Sequence, residues 1–282
     1  MTDVKSTPWE ISRFSQCDDV SESIFCIGNG KVGVRGYSLQ EEKKEPQAHS
    51  IFRAGLFEYI KPGITDMVQL PDALCLLVAG EQPQAIAQRL NMRNGVLTHQ
   101  WEGTRVSCTT KRMVSMADQQ LICISLELTA KEAGTYAVIS VVDGHVRNLP
   151  VHDDQMVRAT ETLQLLAPDA LTEHSLHMHT VPSGHALQME WALTADRACE
   201  RTSEITGGKA KTCLSIALKQ GETLCVQKQV RILVKGEPST AQPADPWQSN
   251  EDAWAALWRD CDIQIDADEG IQGALRYTVF QM

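Results

Sequence analysis

Leu121-Ile122-Cys123-Ile124-Ser125-Leu126-Glu127-Leu128 is the stretch from which the fold is read. At a side-chain period of two, Ile122, Ile124, Leu126 and Leu128 share one face, while Leu121, Cys123, Ser125 and Glu127 share the other. One face is wholly apolar, which predicts a strand with a core on that side. Outward from it, from about residue 9 to residue 234, short runs rich in β-branched and apolar residues recur between turn dipeptides. Asn29-Gly30, Asn94-Gly95, Glu102-Gly103, Asp143-Gly144, Ser183-Gly184 and Gly207-Gly208 are read as tight connections using positive φ. Between them the expected strands are 23–27, 32–36, 51–57, 96–101, 105–110, 121–128, 135–142, 187–194, 211–218 and 224–234. Many short strands at this spacing describe an all-β sandwich or barrel.

Charge and cysteine usage narrow the function classes. The 282 residues carry 36 Asp and Glu against 26 Lys and Arg, a formal net charge of -10, with no basic run. That balance argues against a nucleic-acid partner, which is held by clustered cations. The longest apolar stretch, Ala73 to Ala79, falls far short of the roughly 20 residues that span a bilayer. The opening MTDVKSTPWEISRF has no apolar core of a secretory signal. Nine cysteines without a CxxC pair read as small buried hydrophobes in a reducing compartment. A cytoplasmic protein that binds neither nucleic acid nor membrane is expected.

The texture changes after Lys235, where GEPSTAQPADP reads as a linker. Asp245 and Pro246 then form the cap and first position of a helix. Trp247, Trp254, Leu257, Trp258 and Cys261 fall near one side of it. A second helix is expected from about Asp268, with Ile271, Leu275, Val279 and Met282 as its apolar stripe. That stripe runs to the final residue with no Gly or Asn stop and no cation in the last turn, the pattern of a helix cut from a longer protein.

Local motifs for chemistry are weak. Gly28-Asn29-Gly30-Lys31-Val32-Gly33 matches GxGxxG, but the residues that follow are β-branched where a dinucleotide fold needs a helix, so a hairpin is preferred. His177 and His179 would share a strand face, near His174 and His185, with only Glu173 close by as a further ligand. A solvated strand face is the simpler reading. Asp153-Asp154 and Glu41-Glu42 are adjacent pairs and not the opposed carboxylates of glycoside chemistry. No cofactor, metal or catalytic residue is called.

Longer blocks are more informative. SIFCIGNGKVGVRGYSLQEE, then SIFRAGLFEY and MVQLPDALCLLVAGEQ, resemble the N-terminal region of glycoside hydrolase family 65, the maltose, trehalose, kojibiose and nigerose phosphorylases. Arg112, Ser115 and Met116 resemble its Arg-x-x-Ser-Met strand, and Asp143, Gly144 and Asn148 its Asp-Gly-x-x-Asn turn. Trp254, Trp258, Asp262, Gln272, Arg276 and Phe280 resemble its linker helix and the first helix of its catalytic barrel. Lys31, Asn91 and Ala267 depart from the family, which usually has an aromatic, an aspartate and a glycine at these places.

The resemblance implies a mainly β fold, a large antiparallel β-super-sandwich of the galactose-mutarotase type, followed by linker helices and the start of an (α/α)6 barrel. The expected division is 1–236 for the sandwich, 237–265 for the linker and 266–282 for the first barrel helix. The family's general acid and phosphate ligands belong to the barrel, so no catalytic residue is carried over. The implied substrates of the full-length enzyme are an α-linked glucose disaccharide and inorganic phosphate, yielding β-glucose 1-phosphate. The missing barrel is then the principal partner, with homodimer contacts as a further role. Trp254, Leu257, Trp258, Ile271, Leu275 and Val279 are expected to face that barrel. The alternative is a stand-alone carbohydrate-binding or structural module, a remnant whose exposed Trp254 and Trp258 bind a partner. A mutarotase-like isomerase is a third reading, for which the sequence positions no histidine and carboxylate pair.

Overall fold

The computed structural model describes residues 4–15, 17–45, 48–61, 64–148, 163–238 and 240–282. In chain order the first elements are β1 (Lys5–Ser6), β2 (Glu10–Ser15), α1 (Asp19–Ile24), β3 (Ile27–Gly28), β4 (Val32–Val34), β5 (Ile51–Lys61) and β6 (Ile64–Leu70). Next come β7 (Leu76–Val78), β8 (Ile86–Asn91), β9 (Val96–Glu102), β10 (Val106–Val114), β11 (Leu121–Ala130) and β12 (Gly134–Asp143). Then follow β13 (Leu166–Leu171), β14 (Ser175–Thr180), β15 (Ala186–Ala195), β16 (Glu200–Thr206), β17 (Lys209–Leu218) and β18 (Thr223–Val234). The helices α2 (Pro246–Cys261) and α3 (Glu269–Gln281) come last.

One sheet has ten strands in the order β1-β2-β8-β9-β10-β11-β18-β15-β14-β13, and two four-stranded sheets run β16-β17-β12-β7 and β3-β4-β5-β6. The chain is mainly β and built as a large antiparallel sandwich, as the strand pattern predicts. β11 lies deep in the large sheet, paired antiparallel with β10 and β18. Ile122, Ile124, Leu126 and Leu128 are fully buried in the main core. The opposite face is less polar in its surroundings than its sequence suggests. Leu121 and Cys123 are buried with Met113 in a satellite core under Val96 and Trp247, because the start of α2 covers that end of the sheet.

Local sequence misleads at residues 23–27, read as a strand. Asp18 caps a helix there by accepting from the Ser21 amide (2.8 Å), and Asp19 and Glu22 in the first turn suit the helix dipole. α1 therefore ends at Ile24, and the strand shrinks to Ile27–Gly28. Gly30, Gly95, Gly184, Gly207 and Gly208 adopt positive φ as expected, but Gly103 and Gly144 do not. Gly103 is closely packed instead, since a Cβ there would displace the Glu81 carboxylate and sit 3.0 Å from Val106 Cγ2 and 3.1 Å from Trp101 Cζ3.

The segment after β18 is tied down by polar contacts. Arg231 Nη2 donates to Thr240 Oγ1 (2.9 Å) and Gln120 Nε2 to the Pro238 carbonyl (3.0 Å), holding the chain that leads toward α2.

Candidate interface at the C-terminal helices

α2 begins as its sequence predicts. The Asp245 carboxylate accepts from the amides of Trp247 (3.0 Å) and Gln248 (3.1 Å), and Pro246 fills the first position, where a missing N–H costs nothing. One face of α2 is then fastened to the sandwich. Asn250 is fully buried, donating to the Asn94 carbonyl (2.7 Å) and accepting from the Met116 amide (3.0 Å). Trp258 Nε1 donates to the Met92 carbonyl (2.7 Å), and its ring meets Trp9 edge-on at 5.1 Å. Trp254 stacks on Phe280 of α3 (5.1 Å) and lies so close to Gly95 that a Cβ there would sit 2.7 Å from the indole nitrogen.

α3 starts under Asp268, whose carboxylate accepts from the Ile271 amide (3.0 Å). Its most buried positions are not those of the apolar stripe expected to face the barrel. Gln272, Gly273 and Arg276 are the buried positions, while Ile271 is 53% and Met282 99% exposed. The reason is polar anchoring and close backbone approach. Arg276 binds Asp262 at two points (2.7 and 2.8 Å), reaches the Pro8 carbonyl, and lies over the Trp9 ring at 3.8 Å. Tyr277 donates to the Ile24 carbonyl (2.9 Å), and Gln272 ties both Ile263 and Ile265. The Arg276 hydrogen bonds hold the Asp262 carboxyl below the usual carboxylate range.

The six residues expected to face a barrel therefore divide. Trp254 and Trp258 are 3% and 6% exposed, packed on this chain's own sandwich, so they form no open aromatic platform of the kind a stand-alone module was expected to use. Leu257 is 42% exposed, Ile271 is exposed, and Leu275 and Val279 are half-buried. Leu257 and Val279 border, with the edges of Trp254 and Trp258, a groove of about 550 Å³ between α2, α3 and the β3–β4 hairpin. Ile271 and Leu275 do not border it. Asn250 and Gly273 were not singled out from sequence, and no local pattern marks either.

The hairpin forms the opposite wall. Ile27 and Gly28 pair with Val34 and Gly33, and Gly30 takes φ 80°, so the GxGxxG glycines serve a turn and no phosphate-binding helix follows. Asn29 accepts from the amides of Lys31 (3.0 Å) and Val32 (2.8 Å) and donates to the Ser115 carbonyl (2.7 Å), fixing the hairpin on the large sheet. Cys26 and Cys261 border the groove, but burial raises both thiols, the opposite of an activated nucleophile.

Two other concentrations of ionisable groups do not form a site, one because it is enclosed and the other because it is a single exposed pair. Inside the sandwich, Tyr37 donates to Asp72 Oδ1 (3.1 Å), His49 Nδ1 lies 2.8 Å from Asp72 Oδ2, and Arg112 lies over the Tyr37 ring at 5.0 Å. Tyr37, Asp72 and Arg112 are almost completely enclosed. On β14, next to the edge strand β13, lie His177 and His179, and His179 Nδ1 is 2.7 Å from Asp169 on β13. Among the described residues no three His, Cys, Asp or Glu side chains form a metal cluster. Asp153-Asp154 lie outside the described residues. No helix among the described residues is long and apolar enough to cross a membrane.

Comparison with known proteins agrees with this architecture. Residues 13–260 match the profile described as glycosyl hydrolase family 65, N-terminal domain. Nigerose phosphorylase from Lachnoclostridium phytofermentans is 22% identical over 92% of this chain and 40% of its own length. Trehalose phosphorylase from Thermoanaerobacter brockii is 21% identical over 93% of the chain and 40% of its length. Kojibiose phosphorylase from Halothermothrix orenii is 21% identical over 93% and 38%. A solved human-microbiome structure, described as a candidate kojibiose phosphorylase, superposes with a TM-score of 0.74 at 14% identity. It covers 99% of this chain and 42% of that one. The chain thus spans about 40% of the length of the curated relatives it matches.

Proposed function

From the premise that this chain belongs to glycosyl hydrolase family 65, whose N-terminal domain it contains, we propose that it serves as the non-catalytic sandwich and linker of a disaccharide phosphorylase. The complete enzyme would cleave an α-linked glucose disaccharide with inorganic phosphate to β-glucose 1-phosphate. In that division of labour residues 1–236 are the sandwich, 237–265 the linker and 266–282 the first helix of a catalytic barrel. The barrel brings the acid and the phosphate ligands. The chain itself brings a rigid, apolar face against which helices pack. It works in the cytoplasm, and its sandwich supplies homodimer contacts.

The observation that carries this reading is the match of nearly the whole chain to about 40% of relatives named as nigerose and trehalose phosphorylases. The groove bordered by Leu257 and Val279 supports it, because it opens between the two C-terminal helices and is lined mainly by apolar side chains. The test is complementation. This chain is mixed with the separately produced helical portion of the nigerose phosphorylase relative, and phosphate-dependent release of glucose 1-phosphate is followed. Association with activity is expected. Failure to associate, together with calorimetric binding of nigerose, trehalose or kojibiose by this chain alone, would move the assignment to a self-sufficient carbohydrate-binding module.

A further inference from the structure

The groove between α2, α3 and the β3–β4 hairpin has a charge character that its apolar lining conceals. The chain as a whole has a net charge of -10, yet the side chains bordering the groove include two cations, Lys31 and Arg35, and no Asp or Glu. Arg35 is already engaged, with Glu22 Oε2 at 3.5 Å and donating to Ser23 Oγ at 3.1 Å. Lys31 is exposed at the hairpin tip, and among the described residues its side chain has no ion pair. The groove is therefore an apolar trough with one uncommitted positive charge at its rim.

The walls also fit one shape of occupant. Leu257 and Cys261 are four residues apart on α2, Val279 on α3 is three residues before its cap residue Met282, and all four border the groove. Rows at these spacings are the ridges into which another helix packs. Phe52, Met67 and Met116 supply apolar surface on the sandwich side. We propose that the groove receives an amphipathic α-helix that carries a carboxylate opposite Lys31. This deepens the proposed function by giving the chemistry of the helix that covers the face, and rests on that reading. The helix meets the trough with apolar residues at i, i+3 or i+4 and i+7, and places Asp or Glu at the hairpin end. Such a charge contributes little affinity at an exposed rim, but fixes orientation and excludes the reversed helix.

The test uses two fluorescein-labelled Ala- and Leu-based peptides of about 22 residues, well past the roughly 12–15 at which an isolated helix is marginal in water. They are identical but for a Glu or a Lys at the end that meets Lys31, and binding to the full chain is read by anisotropy. The Glu peptide is expected to bind about fivefold tighter, the difference shrinking in high salt. Lys31→Glu, on an exposed tip, is expected to fold normally and to invert the order. Equal binding of both peptides, unchanged by Lys31→Glu but abolished by Leu257→Asp, would overturn the carboxylate while leaving a helix-covered face standing. Binding of neither peptide overturns the proposal outright, and complementation by the relative's helical portion then decides the broader reading separately. A concentration-dependent dimer in sedimentation that Leu257→Asp dissolves would assign the groove to a second copy and overturn it as well.

Discussion

The guanidinium of Arg276 grips the carboxylate of Asp262 at two points, Nε to Oδ1 at 2.7 Å and Nη2 to Oδ2 at 2.8 Å, across 14 residues of sequence. The pair joins the end of α2 to the middle of α3, and the plane of the guanidinium covers Trp9. Both side chains are largely buried, so removing one leaves a poorly solvated charge. Arg276→Ala is expected to destabilise the docking of α3 by about 3 kcal/mol. Arg276→Lys should recover only part of this, since an ammonium provides neither the fork nor the flat stacking surface. Hydrogen exchange of the α3 amides reads both effects.

The same pair sets an acid limit. The folded Asp262 carboxyl lies below its ordinary value, chiefly through its hydrogen bonds to Arg276. Its stabilisation is therefore complete above the unfolded carboxylate pKa and is lost as pH falls through the lower folded one. Urea unfolding from pH 6 downward should show a decline near about pH 4 and below that is shallower in Arg276→Ala. Parallel declines in the two proteins would remove Asp262 from the account.

Gly273 lets α3 touch the N-terminal segment. A Cβ at this position would stand 2.3 Å from the Thr7 carbonyl oxygen and 2.4 Å from Ser6 Oγ. Alanine improves an isolated helix by about 1 kcal/mol, so propensity alone predicts that Gly273→Ala stabilises. The backbone contact predicts the reverse, a net loss of about 1–3 kcal/mol as α3 is forced outward. At Gly270 an added Cβ would meet only Asp268 Oδ1, at 3.1 Å, and Gly270→Ala is the comparison. Thermal unfolding of both variants separates the effects, and equal melting temperatures would refute the close-contact argument.

Lys228 is fully buried, and among the described residues its ammonium donates only to the carbonyls of Cys75 (3.1 Å) and Val141 (3.3 Å). Burial lowers its pKa to about 8. Below that value both folded and unfolded forms carry the proton and the full cost of burying it is present. Between about 8 and the unfolded value near 10.5, the unfolded chain binds more protons, so stability rises with pH. Lys228→Met should remove that rise and stabilise the fold at neutral pH by roughly 2 kcal/mol, the relieved charge outweighing two lost hydrogen bonds, since the Cys75 carbonyl still accepts from the Val141 amide (3.1 Å). Paired urea titrations at pH 7 and 10 measure the difference between the proteins.

What could be read from sequence was local. The Asn29-Gly30 hairpin, the Asp245-Pro246 start of α2 and the alternation of β11 each depend on neighbours within a few residues, and each appears in the structure. Other features depend on where distant strands meet. Ile124 lies between Arg112 on β10 and Lys228 on β18, so the wholly apolar face of β11 is flanked by two buried cations that alternation cannot reveal. The seated face of α3 is illegible from local sequence for the same reason. Its apolar stripe at Ile271 is the stronger periodic signal, but Arg276 and Gly273 find partners 14 residues away and at the N-terminus. Trp254 and Trp258 were marked by size, and only the fold shows that they are anchored inward.

Asn250 provides the sharpest test of how α2 is held. Its amide donates to the Asn94 carbonyl at 2.7 Å and its carbonyl accepts from the Met116 amide at 3.0 Å, so one fully buried side chain satisfies two loops of the large sheet. Asn250→Asp keeps the size and the acceptor but sets a carboxylate oxygen against the Asn94 carbonyl. Asn250→Ala removes both partners and leaves two buried backbone groups unpaired, at about 1–3 kcal/mol each. The aspartate variant should be the weaker of the two at pH 7, where its buried charge has no cation in contact, and should regain stability as pH falls and the carboxyl takes a proton that can be donated to Asn94. Wild-type protein, with its amide, has no such gain. Chemical unfolding at pH 7 and pH 5 checks the prediction, and an aspartate variant whose deficit does not shrink on acidification would show that the Asn94 contact does not hold α2 in place.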